Sequence, residues 1–248
     1  MTTVAVAAPR YRGRPAWRIL ASVLAVAALV WGTFNVVNLL AHSETHFTRT
    51  FSSDAIAVVE VSTDRGSVRV VASDRDDVSL SAYVSNGLGG TDHTARVQGN
   101  RLLVDASCAV PVAYWCTASY TLRVPKGVAV VLWSGSGDVN VSGLTGAARL
   151  SSDHGDVDAT RLRSIDVRAN AQHGSIHLDL LRAPLRVQAA STHGDVTVVV
   201  PRNDSSYRVD ASSDFGDTSV DVRTDPQSLR DIEASSQHGD VTVRYPAR

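Results

Sequence analysis

Lysine is nearly missing from this chain: Lys126 is the only one among 248 residues. Acidic residues are missing from the start, where the first is Glu44, while Arg10, Arg12, Arg14 and Arg18 come before it. Basic and acidic residues total 24 and 25, so removing those four arginines leaves 20 against 25, a body near −5. No basic patch is available to neutralise phosphates, and nucleic acid is set aside as a partner. Cysteine is scarce as well. Cys108 and Cys116 are the only two, too far apart for Cys-x-x-Cys redox chemistry and with no histidine between them to complete a zinc site. A structural disulfide closing the Ala109–Trp115 loop is the reading that remains.

Catalytic motifs are also lacking. No Gly-x-Ser-x-Gly elbow occurs. Gly87-Leu88-Gly89-Gly90 is not followed by Lys-Ser/Thr and opens no helix, so it reads as a surface loop instead of a phosphate cradle. Asp76 and Asp77 share a turn-like run with Asp74 and Arg75, where solvation accounts for them. The chain is not expected to be an enzyme, and no cofactor is expected.

One long apolar run is present, Ile19 to Leu40, free of charge. As a helix it would reach about 33 Å against a hydrocarbon core of about 30 Å. Arginines precede it and Trp17 stands where an interfacial anchor would, so the expectation is a single-pass cell-membrane protein with a cytoplasmic N-terminus. A cleaved signal peptide is the rival, but the run is long for one and Asn35–Leu40 is a poor cleavage site. The expected plan is a basic cytoplasmic tail at 1–18, a transmembrane helix at 19–41 in the bilayer, a polar Ser/Thr-rich linker at 42–54, and an extracytoplasmic β-repeat domain at 55–248.

Beyond the linker almost nothing is helical. Apolar and polar residues alternate with period two, as in Val78-Ser79-Leu80-Ser81 and Tyr120-Thr121-Leu122-Arg123-Val124, which reads as half-buried strands. A glycine followed by Asp or Ser and then such a strand recurs at Gly137, Gly155, Gly174, Gly194, Gly216 and Gly239, with an early copy at Gly66. Between copies lies a second strand, such as Leu185-Arg186-Val187-Gln188-Ala189. A period near 20 with two strands per period predicts one coil of a stack per repeat, because a single coil cannot bury its apolar face. The expected fold class is all-β, a β-solenoid of stacked two-strand coils behind one N-terminal transmembrane helix. A hairpin-built sandwich is the second choice.

Serine-rich lead-ins such as Trp133-Ser134-Gly135-Ser136 and Ala211-Ser212-Ser213-Asp214-Phe215, running into Gly-Asp-Val strands behind one transmembrane helix, resemble a bacterial adhesin-like domain family of unknown function. The resemblance spans about residues 55–248. It implies a coiled β architecture and an envelope location, and it brings no catalytic residues with it.

Two ladders are candidate sites. His154, His173, His193 and His238 each precede a repeat glycine. Stacked coils lie about 4.8 Å apart, so these rings are placed on successive corners, where imidazoles can share zinc or copper. Phe215 and Ser136 hold the same position in other copies, as a purely structural corner ring would allow. Asp156, Asp195 and Asp240 follow the glycines, with Asp138 and Asp217 in further copies. Carboxylates on neighbouring turns suit calcium, yet the Gly-Gly-x-Gly-x-Asp pattern is absent, and capping of turn amides is the preferred reading. The expected function is a non-catalytic adhesin-like or scaffolding ectodomain in the envelope, facing a protein or polysaccharide. The alternative is a metal- or polysaccharide-binding envelope protein acting through the His and Asp corners.

Overall fold

The computed structural model describes residues 15–40, 43–52, 56–86, 91–108 and 116–247. The expected basic tail up to residue 14, the glycine run 87–90 and the loop 109–115 lie outside the described residues. The chain divides into two units, 1–42 and 43–248.

In the first unit, helix α1 spans Pro15–Leu40. Among the described residues no helix is long and apolar enough to cross a membrane. Thr33 and Asn35 turn back onto the carbonyls of Leu29 and Trp31 within the helix. This overturns the transmembrane helix expected at 19–41. The bilayer partner, the single-pass topology, the cytoplasmic N-terminus and the extracytoplasmic, envelope placement of the remainder fall with it.

The second unit is all β. Its first part contains β1 (Ser43–Ser52), β2 (Val58–Thr63), β3 (Val68–Ser73), β4 (Asp77–Asn86), β5 (Thr91–Gln98), β6 (Arg101–Cys108) and β7 (Thr117–Pro125). The repeats follow as β8 (Ala129–Ser136), β9 (Val139–Ser142), β10 (Ala148–His154), β11 (Val157–Leu162), β12 (Asp166–His173) and β13 (Ile176–Leu180). The last strands are β14 (Arg186–His193), β15 (Val196–Val199), β16 (Arg208–Phe215), β17 (Thr218–Asp221), β18 (Asp231–His238) and β19 (Val241–Arg244). Each repeat places its longer strand in one sheet and its shorter strand in the other. The sheets run β1-β4-β7-β3-β9-β11-β13-β15-β19-β17 and β16-β18-β14-β12-β10-β8-β2-β6-β5. From β3 and β2 onward the repeat strands pair in parallel, coil on coil. The architecture is therefore an all-β, solenoid-like repeat fold, as the period of the glycines implied.

Residues 43–52 correct the expected linker at 42–54. Their Ser and Thr content reads as unstructured, but β1 pairs antiparallel with β4 along its whole length. The β-branched and aromatic residues Thr45, Phe47, Thr48 and Phe51 suit a strand, and the edge of β4 supplies the missing hydrogen bonds.

The core lies between the sheets as rows of like residues. Val139, Val157, Ile176, Val196 and Val241 form one row, and Val130, Ala148, Val167, Val187 and Ile232 face them. All are buried, and each full burial of such an aliphatic side chain is worth about 1.5–3 kcal/mol. The glycine corners let the coils approach this closely. Gly174 has φ +157° and Gly194 φ +149°, and a Cβ on Gly194 would stand 2.2 Å from the Gly174 carbonyl oxygen. Only glycine fits such a corner.

The order of the coils departs from chain order at one place. The coil of β18 and β19 sits beside β14 and β15, and the earlier coil of β16 and β17 is displaced to the outside. The inward residues of the inserted coil are Ile232, Ala234, Val241 and Val243, all buried. The displaced coil has Thr218 where its neighbours have valine or isoleucine. Placing the more apolar coil inside buries more apolar surface, which decides the order.

The other end of the stack is closed differently. Antiparallel strands β4 and β1 extend one sheet, and β5 covers β6 in the other. Cys108 at the end of β6 is joined to Cys116, just before β7, by a disulfide that ties the two sheets together. The Asp64 carboxylate accepts from the Cys108 amide at 3.0 Å.

Candidate functional site

Each corner is built from three hydrogen-bonded or stacked columns. On the inside, a serine two residues before the His position, buried in the interior coils and half-buried at Ser213, donates to a glycine carbonyl of the adjacent coil. Ser152 reaches Gly137 at 3.0 Å, Ser191 reaches Gly174 at 2.9 Å, Ser236 reaches Gly194 at 2.9 Å and Ser213 reaches Gly239 at 2.8 Å. Ala171 interrupts this row. Beyond the glycines the aspartates form a second column. The carboxylate of Asp138 accepts the amide of Asp156 at 3.0 Å, and Asp156 accepts that of Ser175 at 2.8 Å. Asp195 accepts the amide of Asp240, and Asp240 that of Asp217, both at 2.8 Å.

The histidines form the third column. Rings of His154, His173, His193 and His238 stack with centroids 4.7–4.8 Å apart and planes within 5° of parallel. Phe215 closes the stack on the far side of His238 at 4.8 Å. The sequence places Phe215 between His193 and His238. The exchanged coil order instead makes the four imidazoles contiguous.

This geometry corrects the expectation of a metal site. Two nitrogens on one zinc or copper ion lie at most about 4.2 Å apart, given bonds of about 2.0–2.1 Å. Near-parallel rings stacked face to face present their edges side by side instead of turning them toward a common point. The carboxylates of Asp156, Asp195 and Asp240 are on the other side of the glycine and hold backbone amides. Among the described residues no group of three or more His, Cys, Asp or Glu could hold a metal ion.

What the corners do position is the outer face of the longer strands. Register aligns Trp133, Ser151, Asn170, Ala190, Ser235 and Ser212 in one row across six strands. From Ser151 onward these are short side chains. On one side runs a row of longer groups, Arg149, Arg168, Gln188 and Glu233. There Arg168 donates to Gln188 at 2.8 Å and Gln188 donates to Glu233 at 2.9 Å, so the wall is tied together. On the other side stand Asp153, Gln172, Thr192, Gln237 and Asp214, with Gln172 donating to Asp153 at 3.0 Å. The result is a trough running along the stack and across the strands. Two adjoining hollows of about 560 Å³ and 230 Å³ share Asn170, Ala190 and Ser235 on its floor. Half-buried Trp133 marks its end toward β2.

Sequence reasoning did not single out this row. The signal was available: Ser151, Asn170, Ala190, Ser212 and Ser235 each lie three residues before the His or Phe of their own repeat. Only superposing the repeats on their glycines brings the row out.

A stacked-coil, all-β repeat domain with a polar outer trough and glycine corners is the class that fold and site define. A family model described as Toastrack DUF4097 matches residues 119–245. The chain belongs to this family. The resemblance noted in the sequence holds for the β-repeat domain, while its transmembrane element is removed by the helix described above. None of the curated proteins matches the chain. Among solved structures, a candidate cell adhesion protein from Clostridium sporogenes is 9% identical, covers 82% of this chain and 100% of its own, and has a TM-score of 0.46. A candidate adhesin from Bacteroides fragilis is 15% identical over 82% of this chain and 98% of its own, with a TM-score of 0.47. A candidate adhesin from Parabacteroides merdae is 12% identical over 82% and 97%, with a TM-score of 0.32.

Proposed function

We propose that this chain is a non-catalytic, adhesin-like recognition domain that holds an extended partner along the trough. The observation that carries the reading is the aligned row of short side chains between two rows of longer ones. Its floor and walls offer a hydroxyl, amide or carboxylate group on each coil from β10 to β16, at the strand spacing of about 4.8 Å. A linear polymer with repeating hydrogen-bonding groups fits such a surface, and repeat proteins present long regular faces of this kind. Trp133 supplies a flat apolar surface at one end. The Arg168–Gln188–Glu233 chain fixes one wall before any partner arrives, which reduces the ordering penalty of binding.

The test is to probe arrays of extended peptides and linear glycans with the wild-type chain and with Asn170→Trp and Ser235→Trp. Both residues are on the solvent side of their strands, so the indole fills the trough without entering the core. Binding that both substitutions lower at least tenfold supports the trough. Binding unchanged by either moves recognition to another face.

A further inference from the structure

We infer that the outer face of the sheet containing β3, β9 and β11, on the side of the stack away from the trough, holds an acidic sugar. Beyond its first arginines the chain carries more acid than base. Yet a hollow of about 550 Å³ on this face is bordered by Lys126, Arg161 and Arg163 and, among the described residues, by no carboxylate. Scattered from 126 to 163, these cations form no basic run in the sequence. Stacking brings them together: the Thr145 amide donates to the Lys126 carbonyl at 2.8 Å, and the Arg163 amide to the Leu144 carbonyl at 2.7 Å. Lys126, Thr145 and Arg163 thus stand on successive coils. The hollow falls within the about 300–1,000 Å³ of small-molecule sites.

Arg161 reaches this hollow through a distortion of its strand. From Ala159 to Leu162 β11 advances three residues, while β13 advances two, from Leu178 to Leu180, so β11 carries a bulge. Within it Arg161 has φ +53°, the one positive value at a non-glycine among the described residues. Bulges re-aim side chains, and a left-handed arginine costs backbone energy that glycine would avoid. Its guanidinium donates to the Ser142 hydroxyl at 2.7 Å, a neutral partner that orients the group and leaves its charge unbalanced. Among the described residues neither Arg161 nor Arg163 is in an ion pair. Lys126 meets the Asp74 carboxylate, which is 88% exposed, so water screens that pair. Two guanidinium forks and an ammonium around one hollow suit an oxyanion, either carboxylate or phosphate.

A second hollow, of about 390 Å³, adjoins the first and shares Val71, Ser142 and Arg161 with it. Asp158 lines this one, in register between Asn140 of β9 and His177 of β13. One oxygen of its carboxylate is buried, and no described residue donates a hydrogen bond to it. An acceptor beside a cationic hollow calls for a ligand that is anionic at one end and donates at the other. Arg69 and Arg161 line the same hollow as Asp158, which disfavours an ammonium and leaves hydroxyls as the donors. Val71, Ala72 and Leu181 add apolar surface against which the C–H face of a ring can lie. A sugar carrying one acid group, a uronate or a sugar phosphate, meets all three demands. The site is built from other strands than the trough and does not rest on it.

Calorimetric titration of the full chain at low ionic strength with glucuronate, glucose 6-phosphate, glucose and inorganic phosphate tests the assignment. Saturable binding of an acidic sugar, weakened by added salt, is expected. Glucuronate alone would mark a carboxylate site and glucose 6-phosphate alone a phosphate site. Arg161→Gln and Arg163→Gln should each weaken binding about tenfold, with urea midpoints like that of the wild type. Asp158→Ala should bring the acidic sugar down to the affinity of inorganic phosphate, and Ser235→Trp, in the trough, should change nothing. Binding of neither acidic sugar, or binding that survives both arginine substitutions, overturns the proposal. Glucose or inorganic phosphate binding as tightly as the acidic sugars, or a sugar preference that survives Asp158→Ala, overturns it as well.

Discussion

The interior coils and the end coil are made from the same repeat, yet they are held differently. The coil of β14 and β15 has a covered core, a serine bonded to the adjacent glycine carbonyl and a histidine stacked on both faces. The coil of β16 and β17 has the same serine bond and an aromatic corner, Phe215, stacked on one face only. Its inward row is half open. The difference teaches that in a stack a residue's contribution is set by how many neighbouring coils it touches, more than by its identity.

The sharpest way to break the comparison is to place the same methyl group in both coils. Gly194→Ala would drive a Cβ to 2.2 Å from the Gly174 carbonyl oxygen, with coils on both sides and no room to move. A loss above about 3 kcal/mol is expected. Gly216→Ala meets the Gly239 carbonyl at 2.3 Å, but the end coil can shift outward, and about 1–2 kcal/mol is expected. Urea unfolding midpoints measure both, and equal losses would mean the end coil is as confined as the interior.

The opposite end extends the comparison, since it is closed by antiparallel strands and a covalent tie. Replacing Cys108 and Cys116 together with serine is expected to lower stability by about 2–3 kcal/mol through the freed loop. Faster amide exchange should be confined to β6 and β7, leaving β18 and β19 protected. Exchange rising equally at both ends would show that the two are energetically coupled.

The smallest effect sits in the serine column. Ser191→Ala removes the donor to Gly174 and is expected to lose about 1 kcal/mol. Ala171→Ser, at the one interior position where the column is interrupted, should be neutral or gain a few tenths of that. A gain at neither position and a loss at neither would leave the column without energetic weight.

Much of this was legible in the residues, because it is local. Period-two alternation specifies which side chains face inward, and a glycine before Asp or Ser marks each corner. The histidine and aspartate columns followed from the repeat alone. Their chemistry did not, since whether ring nitrogens converge or run parallel depends on the stacking angle between coils. Two expectations for the N-terminal stretch fail for related reasons. The length and apolar run of residues 19–41 suggested a bilayer crossing that the described helix does not support. The Ser and Thr content of residues 43–52 hid a strand whose partner, β4, begins more than twenty residues later.

By itself, then, the sequence determined the strands, their inward faces, the coil period and the corner glycines, all properties of short segments. The tertiary structure decided which coil lies next to which. It set β18 and β19 against β14 and β15, left β16 and β17 at the open end, and lined Asn170 up with Ala190 and Ser235 as a trough floor. The physical reason is that coil order is a competition between distant segments for the same apolar surface. The winner is the coil with the more apolar inner face, a comparison no single segment contains.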